Sequence, residues 1–229
     1  MAGGKGDDYY KVDTTGDLVI ESANGGTDTI ELSNWNQPNG RYYTYILPSN
    51  VENLIIGSGG PITGIGNELS NTLTGSNDYD TLDGGAGADQ LRGGLGNDIY
   101  LFNRGTGADT IVEDDVTANN RDGILCNYDI GHEQLWFTHT DNDLNVSIIG
   151  TTDKFTIKDG YLGSAHHVEE FACKGENVHL LDSQVESLVS AMAAFAPPAP
   201  GQLTLPSNLQ AALSPVLAAA WLPYPMMTI

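Results

Sequence analysis

A nine-residue repeat in the middle of the chain constrains the fold more than any other feature. Four consecutive units begin with glycine at residues 66, 75, 84 and 93, and each has a large apolar or aromatic residue at its eighth position. A fifth unit, residues 104–112, follows after a two-residue insertion. The eighth-position residues of the four units are Leu73, Leu82, Leu91 and Tyr100.

This spacing predicts short strands that stack on one another. In each unit the Gly-rich residues favour a turn, because glycine adopts positive φ without steric cost. The remaining residues form a short strand with one inward apolar side chain. A single unit cannot bury that side chain, whereas stacked units build a continuous core. The repeat therefore predicts an all-β fold.

An acidic residue at the sixth position of the repeat predicts a binding site. In a stack, these residues form a column of carboxylates, which repel one another unless a cation lies between them. Ca²⁺ binds six to eight oxygens, and it accepts both carboxylates and backbone carbonyls. The alternative, that these are ordinary Gly- and Asp-rich turns, does not account for the strict register of the units.

The units at 84–92 and 93–101 match the pattern GGxGxDxUx without a mismatch, where U is a large apolar or aromatic residue. In this respect the chain resembles the RTX, or haemolysin-type calcium-binding, proteins. The resemblance implies a parallel β-roll in which successive units alternate between two sides. It also implies several Ca²⁺ ions, each held between loops two units apart.

The resemblance assigns metal ligands to individual residues. Asp80 and Asp98 would share one side of the roll, and Asn71, Asp89 and Asp109 the other. Asn71 stands where the pattern has Asp, the unit at 75–83 lacks the second glycine, and the last unit opens with Arg104. The implied ligands from the loop backbones are Gly84, Gly85, Ala86, Gly87, Gly93, Gly94, Leu95, Gly96, Gly105 and Gly107.

A poorer version of the repeat occupies the beginning of the chain. Residues 3–11 place Asp8 at the ligand position, and residues 23–31 place Gly26 and Asp28. Val12 to Ile20 fits loosely, through Asp17. We expect Asp8 and Asp28 to share a cation. Because the sequence opens inside a repeat, we also expect an upstream domain in a longer parent protein.

An aromatic segment then interrupts the register. Trp35, Tyr42, Tyr43 and Tyr45 allow two interpretations: a sugar-binding platform, or a packed connection between parts of the roll. Strands are predicted at 42–47 and 51–56.

Residues 113–130 leave the repeat and are expected to turn the chain away from the roll. Alternating apolar residues then predict strands that cap its end. This stretch resembles a cap-like module that follows RTX repeats in haemolysin-related exoproteins. The predicted strands are 134–139, 144–150, 154–158, 168–172 and 178–181.

The last segment is uncharged and predicted to be helical. A helix is expected at 183–195, with Ser183 and Glu186 as its capping box. Two shorter helices are expected at 208–213 and 215–221. From Ser187 to Ile229, 43 residues contain no Asp, Glu, Lys, Arg or His. The tail is interpreted either as a hydrophobic cap or, from its resemblance to RTX C-termini, as a signal read by type I secretion machinery.

These boundaries predict four regions. They are degenerate repeats at 1–56, the calcium-binding roll at 57–115, a capping module at 116–181 and the tail at 182–229.

Composition excludes several classes of function. The chain has 30 acidic and 9 basic side chains and a formal net charge of -21, which argues against binding nucleic acid or an anionic membrane. No apolar run is long enough to span a bilayer. Cys126 and Cys173 either pair with each other or remain buried thiols.

No zinc-protease, serine-hydrolase or Walker motif occurs, so no enzymatic activity is predicted for this chain. The predicted function is a calcium-binding module that folds on binding Ca²⁺ after export, and that caps and secretes a larger bacterial protein of toxin or haemolysin type. Its expected location is outside the cell or at the cell surface. The alternatives are an adhesion or glycan-binding module and the end of a secreted hydrolase.

Overall fold

The computed structural model describes residues 1–14, 16–33, 43–57 and 60–223, which form two long β-sheets around a shared core. The first sheet contains, in spatial order, β1 (Tyr9–Val12), β2 (Thr29–Leu32), β4 (Asn53–Ile56), β6 (Thr72–Thr74), β8 (Gln90–Arg92), β10 (Ala108–Ile111), β14 (Lys154–Ile157), β13 (Asp143–Ile148) and β12 (Leu135–Thr140). The second contains β17 (Leu222–Pro223), β16 (Val178–Leu181), β15 (Glu170–Cys173), β11 (Gly123–Cys126), β9 (Ile99–Phe102), β7 (Thr81–Asp83), β5 (Ile62–Ile65) and β3 (Tyr43–Ile46).

Successive repeat units contribute strands to the two sheets in turn. β6 pairs in parallel with β8, and β7 pairs in parallel with β9. The register places Leu73 beside Leu91 and Leu82 beside Tyr100. The predicted all-β parallel roll is therefore confirmed, including the alternation of units between its sides.

The apolar position of the repeat fills the space between the sheets. Leu73, Leu82, Leu91 and Tyr100 are each 0% exposed. Three-residue strands such as β6 show one buried side chain flanked by two partly exposed ones. One apolar side chain per unit is thus enough, because each stacks on the equivalent residue two units away.

The roll continues beyond the repeats, which corrects the expectation that residues 113–130 leave it. β11 pairs in parallel with β9 and with β15, and β14 pairs in parallel with β10. Ile124 stacks between Tyr100 and Phe171 and supplies the next inward side chain. The turn before β11 lacks the glycine pattern of the repeats, but the strand still has an inward apolar residue.

Antiparallel strands complete both sheets at the C-terminal end. β12 and β13 form a hairpin that adds to β14, and β16 adds to β15. The five strands predicted after the repeats are present, with ends shifted by two residues at most.

Two helices follow, α1 (Asp182–Met192) and α2 (Ser207–Ala220). They pack on each other, and α1 also packs on β12 and β16. The predicted apolar face of α1 is confirmed, because Val185, Leu188, Val189 and Met192 are buried. The predicted capping box is wrong. The helix begins one residue earlier, and Gln184 accepts the N–H of Leu181 at 3.2 Å.

The two short helices predicted near the end are one helix, α2, which continues through Pro215. A proline inside a helix removes one hydrogen bond from its own backbone. Leu213 and Leu217, on either side of Pro215, are both buried. Their packing holds the helix together across the proline.

Two further features were left open by the sequence. Cys126 and Cys173 lie beside each other on β11 and β15 as free, buried thiols. Tyr43 and Tyr45 pack half-buried against the core, while Trp35 and Tyr42 lie outside the described residues. In the described part of the chain, no helix has the length and apolarity to cross a membrane.

We expect Leu82→Ala to destabilise the roll by about 2–5 kcal/mol, because it leaves a cavity at a fully buried position. Leu162→Ala is the matched control, since Leu162 is 59% exposed and should change stability by less than about 0.5 kcal/mol. Urea unfolding of both variants in excess Ca²⁺ measures the difference. Equal losses would contradict the stacked core.

Candidate metal-binding loops

Carboxylates at the sixth position of the repeat form two ladders, one beside each sheet. In one ladder, Asp98 Oδ1 accepts the backbone N–H of Asp80 at 2.7 Å. In the other, Asp89 Oδ1 accepts the N–H of Asn71 at 2.7 Å, and Asp109 Oδ1 accepts the N–H of Asp89 at 3.0 Å. The structure thus brings together the residues that the resemblance to RTX proteins assigned to each side.

Both ladders extend beyond the repeats through carboxylates that the sequence analysis missed. Asp122 accepts the N–H of Asp98 at 2.7 Å, and Glu169 accepts that of Asp122 at 2.8 Å. Glu52 accepts the N–H of Asp28 at 2.7 Å. Each of these acids stands two residues before an inward apolar residue, so an acid at this spacing, without the paired glycines of the repeat, is the signal that would have found them.

The last repeat unit, residues 104–112, is hydrogen-bonded to a further acid, Asp153, which also precedes an inward apolar residue by two positions. Gly105 and Gly107 direct their N–H groups at the two carboxylate oxygens of Asp153, at 3.0 and 3.1 Å. Asp153 stands two residues before buried Phe155. In this structure the backbone of these two glycines therefore serves as a hydrogen-bond donor to Asp153.

The second carboxylate oxygen distinguishes the two perfect loops from the degenerate units at 75–83 and 104–112. The Oδ2 atoms of Asp89 and Asp98 are buried and have no hydrogen-bond partner. In the degenerate loops a neighbouring group occupies this position. Ser76 Oγ donates to Asp80 Oδ2 at 2.8 Å, and Thr106 Oγ1 donates to Asp109 Oδ2 at 2.7 Å. The perfect loops alone among these leave an acceptor oxygen available.

Glycine is required beside these oxygens because there is no space for a side chain. A Cβ at Gly84 would lie 2.4 Å from Asp89 Oδ2, and one at Gly93 would lie 2.3 Å from Asp98 Oδ2. Loops two units apart also touch directly. A Cβ at Gly94, where φ is +100°, would lie 2.1 Å from the carbonyl oxygen of Ser76.

The other predicted backbone positions lie in the same stacked loops. Ala86 and Leu95 donate their N–H groups to carbonyl oxygens of the loops two units earlier. A Cβ added at Gly85, Gly87 or Gly96 would lie within 2.6 Å of a carbonyl oxygen of those loops. The loops therefore present a surface of carbonyl and carboxylate oxygens with little room for anything larger than an ion.

Burial makes it unfavourable for the carboxyl groups of Asp89 and Asp98 to ionise when no cation is bound. Burial, with a smaller contribution from the neighbouring carboxylates of Asp109 and Asp122, raises the pKa of Asp89 to about 7 and that of Asp98 to about 8. No ion pair among the described residues involves Asp89, Asp98 or Asp109. A buried carboxylate without a positive partner is destabilising when ionised.

A second group of carboxylates lies at the beginning of the chain. Asp8, Glu21 and Asp28 each place one oxygen within 4.8 Å of the others. Gly26 packs on the backbone of Gly6, so the two loops touch as in the repeats. Asp17, the loosely matched candidate, is exposed and accepts N–H groups of its own turn, so it does not join the group.

The donor set fits calcium. The unpartnered atoms are carboxylate oxygens, the surrounding backbone supplies carbonyl oxygens, and no nitrogen or sulfur ligand lies in these loops. Hard cations such as Ca²⁺ prefer this set. A bound Ca²⁺ would supply the positive charge that Asp89 and Asp98 lack.

Comparison with known protein families gives two matches. The family model described as RTX calcium-binding nonapeptide repeat (4 copies) matches residues 65–100, the stretch that holds both perfect loops. The model described as haemolysin-type calcium binding protein related domain matches residues 143–172, from the start of β13 to near the end of β15.

We expect the folded fraction of the cation-free chain to fall as pH rises from about 5 to about 8. The pKa values of Asp89 and Asp98 in the fold, about 7 and about 8, lie above the value of about 4 for an unfolded Asp. The folded state therefore holds more protons, so this stability is present at low pH and is lost as pH rises through 7 and 8.

Circular dichroism in EDTA at the two pH values tests this expectation. Asp98→Asn should reduce the dependence on pH, because its amide cannot titrate but still accepts the N–H of Asp80. Asp17→Asn, at an exposed acid, should leave it unchanged. A folded fraction that rises with pH would contradict the prediction.

Proposed function

Since this chain is an RTX calcium-binding protein, we propose that calcium drives the folding of its roll after export from a bacterial cell. The observation that carries the proposal is the pair of buried, unpartnered oxygens on Asp89 and Asp98. These two acids lie in the two loops that match the repeat pattern completely. Without a cation they destabilise the fold, and with one they stabilise it.

The proposed ligands are the residues that the loops bring together. On one side Asp98, with Asp80 two units before it, faces the backbone of Gly93 to Gly96. On the other side Asp89, whose N–H bonds to Asp109, faces the backbone of Gly84 to Gly87. Asn71 takes the place of a charged ligand, so we expect the weakest binding there.

The energy of calcium binding is large enough to decide folding. Extracellular calcium modules have Kd values of about 10⁻⁴–10⁻³ M. Free Ca²⁺ at ten times Kd stabilises by about 1.4 kcal/mol for each independent site. A few sites together give about 5 kcal/mol, comparable to the whole stability of a small domain. A chain kept unfolded before export would fold on meeting calcium outside.

The tail at 182–229 is proposed as the export signal. Its stretch of 43 residues without a charged side chain or histidine supports this role. In the folded chain, α1 packs on β12 and β16, α2 packs on α1, and both helices bury their apolar residues. We propose that type I secretion machinery binds the tail before calcium folds the chain, and that the helices cap the roll afterwards.

No observation on the described residues favours the other candidate functions. Tyr43 and Tyr45 pack against the core, which supports the connecting role of this segment. The activity of the parent protein would depend on regions outside the roll, as function is not given by the fold.

We expect Ca²⁺ to convert the unfolded chain to β-structure at neutral pH, and Mg²⁺ to fail. Gly93→Ala should shift the calcium midpoint to at least about tenfold higher concentration, because its Cβ would occupy the space beside Asp98 Oδ2 without changing any charge. Gly123→Ala is the control, since its Cβ would lie 3.6 Å from the carbonyl oxygen of Glu170, an ordinary contact.

Far-ultraviolet circular dichroism during the titration gives the result. Full β-structure in EDTA, unchanged by calcium, would overturn coupled folding.

The export role is tested separately with the full chain. In a bacterium carrying a type I exporter, we expect secretion of the natural chain. A chain in which residues 187–229 are reversed in order keeps its composition and should remain inside the cell. Equal secretion of both chains, measured in the medium, would contradict the proposed signal.

A further inference from the structure

The carboxylate cluster at the beginning of the chain differs from the repeat loops in the origin of its ligands. Asp8 and Asp28 stand at equivalent ladder positions, and Asp28 Oδ1 accepts the N–H of Asp8 at 2.9 Å. Glu21 comes from the irregular segment between β1 and β2, outside any ladder position. The three oxygens lie within 4.8 Å of one another. The family match at 65–100 does not include these residues.

Glu21 is held in place by its own hydrogen bonds. Its Oε1 accepts the hydroxyl proton of Tyr10 and the N–H of Gly3, the latter at 3.2 Å. Its Oε2 accepts the N–H of Ser22 at 3.2 Å. Glu21 is only 8% exposed, although it lies in a segment with no strand. The acid is therefore positioned by the fold and does not merely extend into solvent.

The cluster also contains unpartnered oxygens, which separate it from an ordinary acidic surface. Asp28 is 0% exposed, and its Oδ2 is buried with no hydrogen-bond partner. Asp8 Oδ2 is likewise buried and unpartnered. A Cβ at Gly3 would lie 2.1 Å from Asp8 Oδ2, so the chain leaves this space to a residue without a side chain. Among the described residues, none of the ion pairs supplies a positive charge to these acids.

We propose that Asp8, Glu21 and Asp28 form a separate Ca²⁺ site that fills before the sites in the repeat loops. This inference rests on the proposed calcium-binding function and adds an order of binding to it. Among the described residues, this is the one group of three carboxylates whose oxygens all lie within 4.8 Å of one another, so it can place three charged ligands directly around one ion. Affinity for Ca²⁺ increases with the number of charged ligands. The bound ion would fasten the irregular segment that carries Glu21 to the first strands of the roll.

Tb³⁺ provides a direct probe, because it replaces Ca²⁺ at oxygen sites and emits when a nearby tyrosine is excited. Tyr10 bonds to Glu21 and so lies beside the proposed site. We expect emission from the full chain to rise in two phases, the first at about one equivalent of Tb³⁺. Glu21→Gln should weaken the first phase by about tenfold or more and leave the second unchanged. Gln keeps an oxygen that accepts from Tyr10, so the fold is retained.

Two further variants complete the test. Asp28→Asn should weaken the first phase in the same way, because its amide oxygen still accepts the N–H of Asp8. Asp17→Asn, in the same segment but outside the cluster, should behave as the natural chain. Excess Ca²⁺ should displace Tb³⁺ from both phases.

The outcomes separate this proposal from the function on which it rests. An unchanged first phase in Glu21→Gln overturns the three-carboxylate site, while calcium-driven folding stands. Equal weakening of both phases also overturns it, because the site would then not be separate. If the natural chain neither binds Tb³⁺ nor folds with Ca²⁺, the proposed function itself fails.

Discussion

The hydrogen bond from a backbone N–H to the carboxylate two units further along is the interaction on which this structure depends. It joins the turns of the roll in the same way that backbone pairing joins its strands. It also draws each carboxylate into the interior. Asp98 donates its N–H to Asp122 while its own Oδ1 accepts from Asp80. Each such residue is thus donor and acceptor in one continuous row.

This arrangement makes the stability of the fold conditional. The carboxylates that link successive turns lose their contact with water on folding. The net charge of -21 also repels them from one another. Protons or cations relieve the repulsion. In the degenerate units at 75–83 and 104–112, the hydroxyl groups of Ser76 and Thr106 donate to the second carboxylate oxygen, which reduces the demand for an ion. The perfect loops do not have such groups, so the most regular part of the sequence is also the part most dependent on its surroundings.

Much of the fold could be predicted from the sequence, because the inward residue and the acid two places before it recur at a fixed spacing. Leu73, Leu91 and Asp89 were placed correctly from that spacing alone. The continuation through Asp122 and Ile124 was missed because its turn contains no glycine pairs, although the acid and the apolar residue remain. Glu21 could not be predicted, since its position depends on Tyr10 and on the course of an irregular segment. Pro215 was misread because burial of Leu213 and Leu217 outweighs the local preference of proline.

The ladders have a consequence for how such a chain can change in length. Partners in successive rungs are separated by 18 residues in the repeats, by 20 between Asp8 and Asp28, by 24 between Asp98 and Asp122, and by 47 between Asp122 and Glu169. The rung has the same form in each case. The fold therefore requires the hydrogen bond between successive turns, but it does not require a fixed number of residues between the two partners. Insertions between two such hydrogen-bonded residues lengthen the loops outside the roll without shifting the register of the sheets. New surface can therefore be added while the interior of the roll stays the same.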